Sequence, residues 1–304
     1  MGKYDHDGFR AALTGPVNSH VVFFSRDGNI DYKAMRRMID FTLQAGSRTI
    51  MLTYGNSLYS TLSDLEVAEV TKAVVKFVKG RAMVIAADRQ WATAQAVEFA
   101  KFARGAGADM VMARPPNWAG AVTTETLVAH YSALAGEMPL MIVTAAFTGI
   151  QSAGLKVLEI LRDKLPFFAV KDDLCGVFGR KLGLLLHKKC PIVSGGQKQN
   201  HLDIHPYGCD GYLSTFLDFK PEIAQTYWRT IQANKIPEAV EIIAKYDLPF
   251  WDFAGKFPGQ FDAVIHGAVE LFGLAKRWRR KPYYSLNDRE MAKLKDYFVG
   301  QGLL

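Results

Sequence analysis

Thr49-Ile-Met-Leu-Thr-Tyr54, then Ser63 to Val78, then Ala82-Met-Val-Ile-Ala-Ala87 set the period of the whole chain. A short apolar run without polar alternation reads as a buried strand, and a longer stretch with apolar residues three and four apart reads as an amphipathic helix. Parallel strands need a crossover of this kind, so the unit is strand–helix–strand. Ser63 precedes the helix with Glu66 three residues on, which is a capping box. Working outward, further strands are predicted at Val21–Phe24, Met110–Arg114, Leu140–Thr144, Phe167–Lys171, Ile192–Ser194 and Tyr212–Thr215. Helices are predicted between them at Tyr32–Ala45, Ala92–Ala106, Thr124–Leu134, Leu155–Lys164 and Phe178–His187. Asp31 and Gly46 bracket the first of these as N-cap and C′ residue. Eight such strands favour a closed (β/α)8 TIM barrel over an open sheet. No Gly-x-Gly-x-x-Gly turn follows the early strands, which speaks against dinucleotide binding.

After Thr215 the alternation stops, and Pro221–Asn234, Pro237–Tyr246, Phe261–Leu274 and Leu286–Phe298 all read as helices. The expected organisation is a barrel over residues 1–220 with a C-terminal helical appendage over 221–304 packed on it. At 304 residues, 49% hydrophobic and 22% charged, the composition is that of an ordinary globular protein and excludes a disordered or collagen-like chain. No stretch approaches the roughly 20 apolar residues of a membrane span, and the N-terminus lacks a secretory apolar core, so a cytoplasmic protein is expected. Cys175, Cys190 and Cys209 are too few and scattered for a disulfide framework or a zinc site. The net charge of +7 has one dense source, Arg277-Trp-Arg-Arg-Lys281, read as a solvated helix end rather than a nucleic-acid patch. His201 and His205, with Asp203 between, have helical ligand spacing but no third cluster, so they read as surface or capping residues and no metal is expected.

In a barrel the functional groups sit at the C-terminal ends of the strands and in the loops that follow. Those ends offer Thr53-Tyr54-Gly55-Asn56, Asp88-Arg89-Gln90, Arg114, Thr144, Lys171-Asp172-Asp173, Ser194-Gly195-Gly196 and Ser214-Thr215. Lys171 ends the apolar run Phe167-Phe-Ala-Val170, which places an amine among low-dielectric walls. Burial disfavours the ammonium form, and a free amine attacks a carbonyl carbon to form a Schiff base. The competing reading is a structural ion pair with Asp172 or Asp173. Arg89 and Arg114 end strands three and four, where each could receive a substrate carboxylate bidentately or pair with rim acids. Cys175, four residues past Lys171, reads as a buried helix cysteine rather than a reactive thiol.

Several motifs stand in a shared order. They are Arg26-Asp-Gly-Asn-Ile-Asp-Tyr-Lys-Ala-Met35, Thr53-Tyr-Gly-Asn-Ser57 with Thr61-Leu-Ser63, Thr93-Ala-Gln-Ala-Val-Glu98 with Ala106-Gly-Ala-Asp109, Val170-Lys-Asp172, Ser194-Gly195, Asp210-Gly-Tyr-Leu-Ser214 and His266-Gly-Ala-Val-Glu-Leu-Phe-Gly-Leu274. In that order and spacing they resemble the dihydrodipicolinate synthase / N-acetylneuraminate lyase family. These are class I aldolase-type barrels that form a Schiff base with pyruvate or another 2-oxo acid. The resemblance implies Lys171 as the imine-forming residue and Thr53 as a positioning or proton-relaying hydroxyl. It also implies a carboxylate held by the backbone N–H groups of Tyr54 and Gly55. Asn56, Trp118, Ser194 and Gly195 fall on further substrate-binding positions of its motifs. No metal or organic cofactor is implied, and a homotetramer or homodimer is.

The departures are as informative. The family's strand-five tyrosine, its proton shuttle, falls on Val143, and an isopropyl group carries no proton. The carboxylate-binding arginine five residues on falls on Thr148. Both changes argue against dihydrodipicolinate synthase proper and against an unmodified neuraminate lyase; Tyr54 reads either as a candidate replacement acid/base held near the barrel mouth or as an aromatic packing under its loop. The expected function is a lyase acting on a 2-oxo acid through an imine on Lys171, by aldol cleavage, condensation or dehydration. The alternative is a catalytically impaired barrel that binds a small carboxylic acid as a sensor or vestigial enzyme.

Overall fold

Asp31 caps the first barrel helix, its Oδ1 accepting the Ala34 N–H at 2.9 Å, and Gly46 leaves that helix at φ +92°. Ser63 and Glu66 close the expected capping box, each side chain accepting the other's N–H at 3.2 and 2.9 Å. The computed structural model describes residues 3–117 and 120–304. The strands are β1 Gly15–Ser19, β2 Thr49–Met51, β3 Met83–Ala87, β4 Met110–Ala113, β5 Leu140–Val143, β6 Ala169–Asp172, β7 Ile192–Ser194 and β8 Gly211–Leu213. All pair in parallel in sequence order, and β8 returns to β1 through Gly15 and Gly211, closing an eight-stranded (β/α)8 barrel. Around it lie α1 His6–Leu13, α2 Tyr32–Gln44, α3 Asp64–Val78, α4 Thr93–Ala106, α5 Thr124–Ala135, α6 Gln151–Lys164, α7 Gly176–Leu186 and α8 Gln197–Gly208. The chain ends in α9 Pro221–Gln232, α10 Ile236–Ile242, α11 Leu248–Ala254, α12 Gln260–Leu271 and α13 Asp288–Gly300. α1 leads into the closed end of the barrel so tightly that a Cβ on Gly211 would lie 2.1 Å from the Leu13 carbonyl oxygen.

Three expectations are corrected. The first strand is Gly15–Ser19, not Val21–Phe24, because the ladder to β2 and β8 uses Asn18, Ser19 and Gly15 to Val17. Val21–Phe24 is a fully buried crossing segment, closed by the Phe24–Ile30 bridge and packed through Phe23 on His266 of α12. The basic run is not a solvated helix end. Arg277 pairs with Glu270, Arg279 donates to the Tyr284 carbonyl, and Arg280 reaches both oxygens of Glu66 at 2.8 Å, so the run straps the extended segment after α12 to the barrel. His201 is neither a surface residue nor a cap. It is buried in α8 against the Tyr227 hydroxyl at 2.8 Å, and burial lowers its pKa to about 3. Among the described residues no cluster of three or more His, Cys, Asp or Glu could hold a metal, and no helix is long and apolar enough to cross a membrane.

Beyond β8, α9 to α13 build a second apolar cluster around Phe216, Phe219, Phe250 and Phe298. Between the two halves of the chain, Lys198 of α8 meets both carboxylate oxygens of Asp247 at 3.0 Å, with both side chains fully buried. At the base of this junction Asn18 of β1 donates to Asp218 at 2.9 Å, and burial raises the Asp218 pKa to about 8. A carboxyl whose folded pKa lies above its unfolded value of about 3.9 binds an extra proton when folded, so its contribution falls as pH rises from that value through the folded pKa. Asp218→Asn, whose amide oxygen still accepts from Asn18, is therefore expected to raise the melting temperature by several degrees above about pH 8 and much less near pH 5. Thermal melts of both proteins across that range measure it.

Candidate active site

Val143 of β5 and Val193 of β7 are the register partners of Lys171. Strand alternation sends these three side chains to the barrel interior and turns Asp172, with its partner Ser194, to the helix layer. Lys171 is only 8% exposed. Its amine opens into a cavity of about 450 Å³ at the C-terminal end of the barrel. There Nζ donates to the Asp173 carboxylate, whose side chain is 26% exposed and lines the same cavity.

Thr144 builds the turn that brings Asp173 back toward Lys171. Its hydroxyl donates to Asp172 Oδ1 at 2.8 Å and accepts the N–H groups of Asp173 at 2.8 Å and Leu174 at 3.3 Å. Asp172 is buried, which raises its pKa against the lowering effect of Thr144 and the backbone N–H groups of Cys175 and Leu174. The Gly195 N–H donates to the Asp172 carbonyl at 2.8 Å, and a Cβ on Gly195 would stand 1.8 Å from Asp173 Oδ1. Glycine is required there because the carboxylate occupies the side-chain space.

The strand-two loop forms the opposite wall. Ser57 Oγ accepts the Thr53 N–H at 3.0 Å and donates to the His20 carbonyl at 2.7 Å, while Thr53 Oγ1 accepts the Asn56 N–H at 3.2 Å and lies 3.3 Å from Ser19 Oγ. The N–H groups of Tyr54 and Gly55 donate to no protein acceptor among the described residues, and both residues line the cavity. Across from them, Gln90, with its amide oxygen toward the guanidinium, accepts from Arg114 Nε at 3.0 Å and Nη1 at 3.2 Å. Asp88 Oδ1 anchors that corner through the Arg114 N–H at 3.1 Å and the Gln90 N–H at 3.3 Å, and burial pushes its pKa up to about 7. Among the described residues no carboxylate lies within ion-pair distance of Arg114.

Among the described residues the arrangement is an amine and a carboxylate in contact, facing free backbone N–H groups and an arginine that has no acid partner. A profile of the dihydrodipicolinate synthetase family matches residues 12–299. A 4-hydroxy-tetrahydrodipicolinate synthase of Dechloromonas aromatica is 31% identical over 93% of this chain and 96% of its own. The chain belongs to the dihydrodipicolinate synthetase family. A probable 5-dehydro-4-deoxyglucarate dehydratase of Streptomyces coelicolor is 26% identical over 86% of this chain and 84% of its own. The crystal structure of dihydrodipicolinate synthase from Oceanobacillus iheyensis superposes with a TM-score of 0.83 at 20% identity, covering 99% of this chain and 100% of that one. As a member of the dihydrodipicolinate synthetase family the protein is a lyase of the class I aldolase type.

Within this family member the fold brings Thr53, Tyr54, Gly55, Asn56, Arg114, Lys171 and Gly195 around one cavity. It does not bring two others there. Arg89 is held on the rim by Asp64, at the start of α3, at 2.7 Å. Ser194 is fully buried and faces outward with Asp172, because one residue of strand register separates it from the lumen. Trp118 lies outside the described residues. Thr148, where the family resemblance expects an arginine, is exposed and donates to the Ala145 carbonyl at 2.9 Å. Cys175 is buried, which pushes its thiol up to about 12. Sequence reading did not find Trp251, Phe261 and Ile265, which α11 and α12 bring to the cavity wall. Gln197 also escaped it, and its amide exchanges hydrogen bonds with Thr215 at 3.1 and 3.0 Å.

Thr144 gives this site its stability test. Thr144→Val removes the hydroxyl that serves three polar partners, one of them the buried Asp172 carboxylate, so it should cost about 1–3 kcal/mol, read as a lower urea midpoint. Thr144→Ser should stay near the parent protein.

Proposed function

We propose that the protein forms an imine between Lys171 and the keto carbon of a 2-oxo acid, and uses that imine as the electron sink for aldol cleavage, condensation or dehydration. The observation that carries this is the Lys171 amine itself, buried at the top of β6 and opening into the cavity beside an apolar floor of Met112, Val143 and Leu213. The unpaired N–H groups of Tyr54 and Gly55 take the carboxylate next to the keto carbon, as hydrogen-bond donors aimed at fixed negative charge. Thr53, fixed by Asn56 and Ser19, orients the keto oxygen, and Tyr54 supplies a phenol at the rim. Asn56 and Gly195 complete the binding surface. Arg114 takes a second acidic group, and this favours a substrate longer than pyruvate. Relatives are named for dehydrating 5-dehydro-4-deoxyglucarate and for making 4-hydroxy-tetrahydrodipicolinate, so both elimination and condensation occur among them. The same reading takes the enzyme to be a cytoplasmic homotetramer or homodimer.

One observation favours a second reading, a barrel that binds a small acid without turning it over. Val143 stands beside Lys171 where the resemblance expects a proton-carrying tyrosine. Retention of a buried lysine weighs against it, since a site without chemistry could exchange the amine for an apolar group of similar volume without loss.

Incubation with pyruvate and borohydride should add a reduced pyruvyl group to Lys171, located by peptide mass mapping, and Lys171→Met should abolish it. Absence of an adduct with pyruvate and with a panel of longer 2-oxo acids overturns the proposal. Arg114→Met should raise the 2-oxoglutarate concentration for half-maximal trapping by about tenfold or more, the worth of a charge-assisted hydrogen bond, and change the pyruvate value less.

A further inference from the structure

We infer that Asp173 is the catalytic acid/base of this site, the carboxylate that carries protons between Lys171 and the substrate in place of the absent strand-five phenol. The inference rests on the imine chemistry proposed for Lys171 and adds the group that makes it turn over. Asp173 is the acceptor that Lys171 Nζ contacts, and among the described residues no phenol lies within hydrogen-bond distance of that nitrogen. Its position is built by its neighbours. Thr144 fixes its backbone N–H, and Gly195 leaves open the space that its carboxylate fills.

The proton balance closes with this one group. The ammonium of Lys171 gives a proton to Asp173, and the free amine attacks the keto carbon, forming a carbinolamine. Asp173 returns that proton to the carbinolamine oxygen. The remaining N–H proton that nitrogen must lose follows by the same carboxylate, and water leaves with both. Ammonium plus ketone has become iminium plus water, with Asp173 again a carboxylate. It then takes a proton from the carbon next to the imine, giving a neutral enamine beside a neutral carboxylic acid. A cation faces an anion, or two neutral groups face each other, at each resting stage. A low-dielectric cavity favours both arrangements over an isolated charge.

The test is the exchange of pyruvate methyl protons in deuterated water, followed by NMR, because exchange requires the imine and the carbon deprotonation but no knowledge of the natural substrate. Asp173→Asn should slow exchange by about 10²-fold or more, the usual contribution of a positioned acid/base, while borohydride still traps an adduct on Lys171. Gly195→Ala, which keeps the carboxylate but pushes it off the amine, should slow exchange at least about tenfold. An Asp173→Asn protein that forms the adduct and exchanges at the parent rate overturns the inference. So does a parent protein that forms the adduct and does not exchange. Should Asp173→Asn fail to fold, parent-rate exchange in Gly195→Ala overturns it equally. A parent protein with no adduct at all instead refutes the imine reading, so the two failures are distinguishable.

Discussion

At the end of β6 three charged residues follow one another, and the period-two alternation of a strand disposes of them in turn. Lys171 points into the barrel, Asp172 points out to the helices, and Asp173 lies one step past the strand, where the chain is free to fold back. A buried amine with no counter-charge is costly, and so is a buried carboxylate. The Thr144 hydroxyl resolves both problems at once by satisfying Asp172 and fixing the backbone of Asp173. The rest of the site is arranged around that turn. Gly195 must lack a side chain, the neighbours of Lys171 in the ladder are valines, and the cavity opens where the amine meets its carboxylate.

The apolar neighbours matter as much as the charged ones. Val143, Met112 and Leu213 exclude water from the floor around Lys171 and so strengthen the interaction between the amine and Asp173. A tyrosine in place of Val143 would bring a second titratable hydroxyl to the same nitrogen. With valine there, the inferred acid/base is Asp173, in the loop after the sixth strand rather than on the fifth. That loop is tied to the fifth strand through Thr144, so the two strands still act as one unit.

Much of this was legible in the sequence, for identifiable reasons. Strands β2 to β6 announce themselves because strands covered on both faces are continuously apolar. β1 does not, because Gly15-Pro-Val-Asn-Ser19 holds a single large hydrophobe, while Val21–Phe24 is apolar for packing against α12 rather than for pairing. α8 escaped notice since Gln197–Gly208 is mostly polar and has Pro206 in its last turn. The strand-end rule led to Lys171, Thr53 and Arg114, but it could not separate Arg114 from Arg89. That choice is made by Asp64, a helix residue distant in sequence that captures one arginine and not the other. Ser194 missed the lumen by one step of register. Trp251, Phe261 and Ile265 carry no local mark of function, because only the docking of α11 and α12 on the barrel turns ordinary helix hydrophobes into a cavity wall.

That docking also bears on the charge the cavity presents. The protein's net charge of +7 says little about substrate, since the basic run after α12 is consumed by Glu66, Glu270 and the Tyr284 carbonyl. What a ligand meets is local. Among the described residues two cations, Lys171 and Arg114, and one carboxylate, Asp173, line the cavity and leave one positive charge. Iminium formation preserves that count, because the iminium carries the charge the ammonium had. A substrate carboxylate resting on the neutral N–H groups of Tyr54 and Gly55 would leave Arg114 for a second acidic group, so the site accommodates a dianion without an unpaired cation. A mononegative 2-oxo acid would leave the Arg114 guanidinium with Gln90 as its only protein partner among the described residues. On the proposed reading, the selectivity of the pocket resides in an arginine of the fourth strand's loop, and its reactivity in the amine–carboxylate pair at the end of the sixth strand.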